Sequence, residues 1–266
     1  MTIFEAIVIA VVEGVTEFLP ISSTAHMKFA NPLLGISPSA FGDMFEIVIQ
    51  LAAILAVVVI YHKKFFNFKK LSFYIKLVIA VIPALVFGFL LKKHIDSALG
   101  NLTFIACVMI GGGIVLLFVD KMFRNPQIDS EEKISNKNSF IIGCFQVLSI
   151  VFPGLSRSAA TIIGGMSQKL TRSAAAEFSF FLAVPTMLAA SAKSFWDTYK
   201  ENPEVIAKDN MLILLVGCVV AFIVALIAIK FFIGFLKKYG FRVWGVYRII
   251  AGLIMLILLM TGVINR

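Results

Sequence analysis

The chain has 266 residues, of which 60% are hydrophobic and 15% charged, with a mean hydropathy of +0.97 and a net charge of +9. Soluble domains run at about 45–50% apolar and about 25% charged residues, so both shifts exclude an ordinary water-soluble fold and make lipid the solvent for most of the surface. The basic excess is no sign of a nucleic-acid partner, because the Lys and Arg sit at the ends of apolar runs, where membrane topology accounts for them.

The first apolar stretch, about 3–30, is broken near its middle by Pro20 and followed by Ser22, Ser23 and Thr24. It is apolar from the start, with no basic leader and no small-residue cleavage site, so it reads as structure rather than a signal peptide. Runs of spanning length follow at roughly 43–61, 72–91 and 102–119, each close to the ~20 apolar residues a transmembrane helix needs. A polar connection at about 120–138 carries Asp120, Lys121, Arg124, Asp129, Glu131, Glu132, Lys133 and Lys137. A second broken stretch, about 139–170, is interrupted at Pro153-Gly154 and followed by Ser156, Arg157 and Ser158. Further spanning runs lie at about 174–195, 211–231 and 243–262. Cys107, Cys144 and Cys218 lie scattered in apolar runs without metal spacing and read as membrane packing residues.

The two halves repeat one pattern. Glu13 stands seven residues before Pro20, as Gln146 does before Pro153, and a hydroxyl cluster follows each Pro. Phe45-Glu46 opens one span and Glu177-Phe178 the corresponding one. The expected architecture is an all-α polytopic membrane protein built as an inverted-topology repeat. Each half holds one re-entrant broken-helix segment and three transmembrane helices, an odd number of crossings that turns the second copy upside down. Residues 1–266 then form a single integral membrane domain, with repeat one at about 1–130 and repeat two at about 131–266. Loop charge sets the orientation: Lys63, Lys64, Lys69, Lys70, Lys121, Arg124, Lys133, Lys137, Lys169, Arg172, Lys237, Lys238 and Arg242 share one side, expected to be cytoplasmic.

The chemistry concentrates at the two breaks. Glu13 and Glu17 are four apart, on one helix face, in an apolar setting where an ionised group is costly. They could share a proton or a divalent cation, Mg²⁺ or Ca²⁺, both of which take carboxylate oxygens. Pro20 should end their helix. Ser22, Ser23 and Thr24 then start a half-helix whose free N–H groups and positive dipole end make an anion site. Ser23 is a candidate nucleophile, and His26, within one turn of it, a candidate base. In the second segment Ser156 caps the next half-helix, Arg157 supplies a planar fork suited to phosphate, and Ser158 and Thr161 add hydroxyls. If the tips meet, this inventory fits phosphoryl transfer or hydrolysis. Asp43, Glu46 and Glu177 read as helix N-terminus complements, Gln146 as a cavity-lining residue, and Gly111-Gly112-Gly113 as a helix packing signal.

At these segments the sequence resembles the undecaprenyl-diphosphatase family of bacterial membrane enzymes, also known through bacitracin resistance. The family's E-x-x-x-E, F-L-P-x-S-S-T and following His are matched by Glu13, Glu17, Phe18, Leu19, Pro20, Ser22, Ser23, Thr24 and His26. Its P-G-x-S-R-S and following Thr are matched by Pro153, Gly154, Ser156, Arg157, Ser158 and Thr161. Ala25 and Ala159 replace the family's usual glycines, small for small. The resemblance implies removal of the terminal phosphate of undecaprenyl diphosphate, which recycles the lipid carrier for peptidoglycan and other wall polymers. It implies a multi-pass protein of the bacterial plasma membrane, a site open to the outer face and a divalent cation; a homodimer is left open. In the mechanism expected here, Glu13, Glu17, Ser23, His26 and Arg157 are catalytic. Glu13 and Glu17 hold the cation, and Ser22, Thr24, Ser156, Arg157, Ser158 and Thr161 bind phosphate. His26 activates Ser23, or water attacks directly. The rival class is an inverted-repeat transporter or flippase for a phosphorylated prenyl lipid, which would have no need of a hydroxyl–His–Glu grouping.

Overall fold

Thr2 opens the first helix with a reciprocal cap: its hydroxyl accepts from the Glu5 N–H (3.2 Å), and the Glu5 carboxylate accepts from the Thr2 N–H (2.8 Å). This computed structural model describes residues 1–264. Helix α1 (Ile3–Thr16) ends four residues before Pro20, not at it, and α2 (Ser23–Leu33) begins after the turn. Ser39 caps α3 (Ala40–Ile60), which leads through the short α4 (His62–Phe65) into α5 (Leu71–Leu90). A short α6 (Lys92–Leu99) precedes α7 (Leu102–Met122), capped by Asn101. Ser135 caps α8 (Asn136–Val151); then follow α9 (Arg157–Ser167), α10 (Arg172–Glu201), α11 (Lys208–Tyr239) and α12 (Arg242–Met260). The sequence pattern did not foresee α4 and α6. Among the described residues the only β-type pairing is an isolated bridge between Ile128 and Leu170.

Six helices, α3, α5, α7, α10, α11 and α12, are long and apolar enough to cross a membrane. They coincide with the six runs expected from the sequence. By contrast α1, α2, α8 and α9, with 14, 11, 16 and 11 residues, rise only about 16–24 Å each at 1.5 Å per residue. None alone crosses a hydrocarbon core about 30 Å thick.

Packing follows small residues, as it must where lipid removes the hydrophobic drive between helices. Helix α1 packs on α11, and α8 packs on α5. Each contact turns on a glycine: a Cβ at Gly14 would meet Ala221 O at 2.8 Å, and one at Gly143 would collide with Ala80 O. Helix α3 packs on α10 through the core, and α7 packs on α12. In that last pair Gly113 and Gly245 approach each other's carbonyls, and Gly112 lies against Arg248, so the triple glycine is a packing device as expected, with Gly111 itself in open space. Buried Phe18, Phe45, Phe178, Phe180, Phe181 and Phe232 fill the middle of the bundle. The three cysteines are free, but Cys107 and Cys144 are exposed, so only Cys218 fits the packing role assigned to all three.

The basic loops gather at one end. Lys64 reaches Glu131 (2.7 Å) and Glu177 (3.7 Å), and Lys70 pairs with Glu132. Asp120 accepts from Arg172 Nε (2.7 Å) and from the Phe241 N–H (2.8 Å), tying the ends of α7, α10 and α12 together. Glu177 and Glu46 are therefore ion-pair partners more than dipole complements. Glu46, buried on α3, accepts from Asn31 Nδ2 (2.6 Å) and faces Lys28 Nζ (3.1 Å), which holds the end of α2 to α3.

Candidate active site

Both breaks are closed by the same local device. Ser22 and Ser156 sit at positive φ (71° and 76°), an unfavoured conformation for a residue with a Cβ. In each case the side-chain hydroxyl caps the new helix, accepting from Ala25 N and from Ala159 N at 3.3 Å. A helix start leaves its first N–H groups without intrahelical partners. The N–H groups of Ser23 and Thr24 on α2, and of Arg157 and Ser158 on α9, are thus available for an anion.

The two tips meet, as the sequence required for a single site. Ser158 Oγ donates to the Leu19 carbonyl (2.9 Å) across the junction. Arg157 Nη2 donates to Glu17 Oε1 (2.8 Å), and Arg157 Nη1 to the Ser179 carbonyl (3.2 Å). Ser23 Oγ donates to the other oxygen of the same carboxylate, Glu17 Oε2, at 2.6 Å. Glu17 thus bridges the candidate nucleophile of one segment and the guanidinium of the other. Glu13, in the last turn of α1, is fully buried, and neither carboxylate oxygen has a hydrogen-bond partner.

His26 is not bonded to Ser23. Its Nδ1 lies 2.7 Å from the Ser22 carbonyl and its Nε2 2.7 Å from the Tyr247 hydroxyl. Ser22, Ser156, Ser158 and Thr161 are buried, and their hydroxyls serve the framework: Ser156 bonds Ser158 (3.0 Å), and Thr161 bonds Ser179 Oγ (2.6 Å) and the Arg157 carbonyl (2.9 Å). Ser156, Ser158 and Thr161 thereby hold the α9 tip in place, while Ser22 caps α2. Thr24 is half-buried at the α2 start. Gln146 is buried, with Nε2 on Thr186 Oγ1 of α10 (3.3 Å) and its Oε1 without a hydrogen-bond partner.

Arg248 of α12 was not singled out from the sequence. It is fully buried and donates to carbonyls of three segments: Pro20 (3.1 Å) in the first break, Gly154 (2.8 Å) and Leu155 (2.7 Å) in the second, and Met109 (3.2 Å) of α7. Helix breaks free carbonyls that lipid cannot satisfy, and one guanidinium satisfies both sets at once. The signal was present: an Arg inside an apolar run marks a working residue by default. Tyr247, its neighbour, was missed for want of any such cost.

A sequence profile for the family described as bacitracin resistance protein BacA matches residues 6–254. The chain belongs to this family. It is 53% identical over 259 residues to the undecaprenyl-diphosphatase of Flavobacterium johnsoniae, covering 97% of this chain and 96% of the relative. Against the undecaprenyl-diphosphatase of Porphyromonas gingivalis it is 48% identical over 279 residues, with 99% of each covered, and against that of Bdellovibrio bacteriovorus 45% over 264, with 98% of each covered. The match to the BacA family spans both breaks and every residue of the junction.

Proposed function

We propose that this protein hydrolyses undecaprenyl diphosphate to undecaprenyl phosphate and inorganic phosphate. The observation that carries the reading is the Glu17 carboxylate, held between Ser23 and Arg157 where two half-helix starts meet, in a chain about as long as its undecaprenyl-diphosphatase relatives. The terminal phosphate would lie at the two helix starts, its charge met by Arg157 and the free N–H groups. Donors fixed before reaction commonly supply the largest catalytic term. Ser23 Oγ then attacks the terminal phosphorus. Its proton passes along the 2.6 Å bond to Glu17, the bridging P–O bond breaks, and undecaprenyl phosphate leaves. Water then attacks the phosphoserine, Ser23 recovers its proton and inorganic phosphate departs. The Ser23–Glu17 hydrogen bond supports Glu17, in place of His26, as the base for Ser23. His26 stands one turn further along, where it can carry a proton for the leaving phosphate or the incoming water.

The donor set suits a divalent cation. Glu13 offers two buried oxygens without partners, and a hard cation takes such oxygens. Glu13, with Glu17, would hold it, and it would neutralise phosphate charge. Among the described residues no three His, Cys, Asp or Glu side chains cluster as a self-sufficient metal site, so substrate phosphate would complete the coordination.

The finer architecture is part of the same reading: one domain of two inverted halves, about 1–130 and 131–266, with α1–α2 and α8–α9 re-entrant. Support comes from the exchange of equivalent contacts, α1 on α11 and α8 on α5, each through a glycine. The matched positive-φ serine caps support it as well. With the basic end cytoplasmic, the site opens to the outer face, where spent carrier is released.

The test is product analysis with purified protein and undecaprenyl diphosphate. Inorganic phosphate and undecaprenyl phosphate should appear in equal amounts, and Glu17→Gln and Arg157→Ala should abolish both. Release of inorganic diphosphate, or full turnover by both variants, would sink the reading.

A further inference from the structure

Helix α12 brings two consecutive polar side chains to the first break. Arg248 donates to the Pro20 carbonyl (3.1 Å), and the Tyr247 hydroxyl lies 2.7 Å from His26 Nε2 on α2. The imidazole and phenol rings are nearly parallel, 10° apart with centroids at 5.7 Å. The other ring nitrogen of His26 is engaged as well, with Nδ1 2.7 Å from the Ser22 carbonyl. A carbonyl can only accept, so Nδ1 carries the proton. In the neutral ring Nε2 is then the acceptor and Tyr247 the donor. Nε2 has one lone pair, and the Tyr247 hydroxyl fills it. His26 therefore has no free nitrogen for a phosphate or a water. Both side chains border a cavity of about 380 Å³ between α2 and α12, and among its described lining residues they alone are polar. Tyr247 is 41% exposed, so the phenol is the open end of the pair.

We infer that Tyr247 is a catalytic residue, the relay through which His26 takes a proton from the water that attacks phosphorus. This rests on the hydrolase reading for its reaction. The water gives one proton to Tyr247 Oη while the Oη proton moves to His26 Nε2. The new P–O bond forms as the bond to Ser23 Oγ breaks. Ser23 recovers the proton held by Glu17, and the imidazolium returns its own through Tyr247 to the released phosphate. A general base can work through one bridging water, and a phenol fixed in that place does the same without needing to be ordered. Arg248, the next residue, supplies the fixing: it ties this turn of α12 to Pro20, Gly154 and Leu155, so Tyr247 is registered against both breaks.

The test uses the intact protein in detergent and farnesyl diphosphate labelled on its terminal phosphate. Tyr247→Phe keeps the ring stack and removes the hydroxyl. Its kcat should fall about tenfold or more, short of the roughly 10²–10⁴ of general acid–base catalysis where a water stands in for the hydroxyl. KM should stay near wild type, and acid-stable label on the protein should rise. In a His26→Ala background the same substitution should cost nothing further, because either change breaks one path. Fluorinated tyrosines of increasing acidity, placed at position 247, keep the fold and the hydroxyl and should change kcat in step with acidity. A hydroxyl with only a structural role would be insensitive. Tyr199→Phe, at the exposed end of α10, should leave kcat alone. Phosphate release by wild type with kcat unchanged in Tyr247→Phe and across the fluorotyrosines would overturn the relay and leave the hydrolase reading standing. So would losses from Tyr247→Phe and His26→Ala that multiply in the double variant. No phosphate release by wild type would sink the hydrolase reading and the relay together.

Discussion

Replacing Arg248 by Met keeps the length of the side chain but removes the guanidinium that joins both breaks. The carbonyls of Pro20, Gly154 and Leu155 then lose their donor from α12. An orphaned buried polar group costs about 1–3 kcal/mol. Three of them come to about 3 kcal/mol at the low end, if local water or a shifted backbone relieves part. Spent on the relative placement of Ser23 and Arg157, that is a factor of roughly 100 in rate. The assay is kcat and KM for prenyl diphosphate hydrolysis, with thermal unfolding of the detergent-solubilised protein alongside. As a positioning residue, Arg248 should act mainly on kcat, and Arg248→Lys should recover part of it by reaching one set of carbonyls. An Arg248→Met protein with kcat within threefold of wild type would refute the idea that this side chain sets the junction. So would a loss that appears only as lower melting temperature.

Other outcomes follow from the same geometry. Glu13→Gln should raise the Mg²⁺ or Ca²⁺ concentration for half-maximal turnover about 10–100-fold, read by cation titration, because the two unpartnered oxygens are the candidate cation ligands. Arg157→Lys should retain less than about a tenth of kcat/KM, since an ammonium cannot keep both the Glu17 contact and the Ser179 carbonyl as the planar fork does; kinetics at saturating cation will show it. Gly143→Val should destabilise the protein more than Gly111→Val in thermal unfolding, because only the former has backbone in the way of a Cβ. Asp120→Ala should lower the melting temperature while leaving kcat of the surviving fold near wild type, since its contacts to Arg172 and Phe241 lie at the basic end, away from the junction.

Much of this molecule is legible in one dimension because lipid imposes a single strong constraint. An apolar run of spanning length has little choice but helix, and all six long helices fall where such runs stand. The breaks are legible for the complementary reason: Pro20 and Pro153-Gly154, each followed by hydroxyls, violate that constraint in the same way twice. Pairing across the tertiary structure is another matter. That Ser23 Oγ hydrogen-bonds Glu17 and not His26 depends on the turn from Glu17 to Ser22, whose path is set by Arg248 and Ser158 from elsewhere in the chain. The partners of the Ser158 and Thr161 hydroxyls were hidden for the same reason, because residue type alone does not show which way a buried side chain is satisfied. Arg248 carries a plain cost in an apolar run, but no local motif in α12 ties it to the two breaks that it braces.

The central claim, phosphoryl transfer at the Glu17–Ser23–Arg157 junction, is tested most directly by acid quench of a single turnover with substrate labelled on its terminal phosphate. The account predicts label bound covalently at Ser23, enriched when water attack is slowed by His26→Ala and missing from Ser23→Ala and Glu17→Gln. Wild-type turnover with no protein-bound label in either background, together with substantial phosphate release by Ser23→Ala, would contradict it.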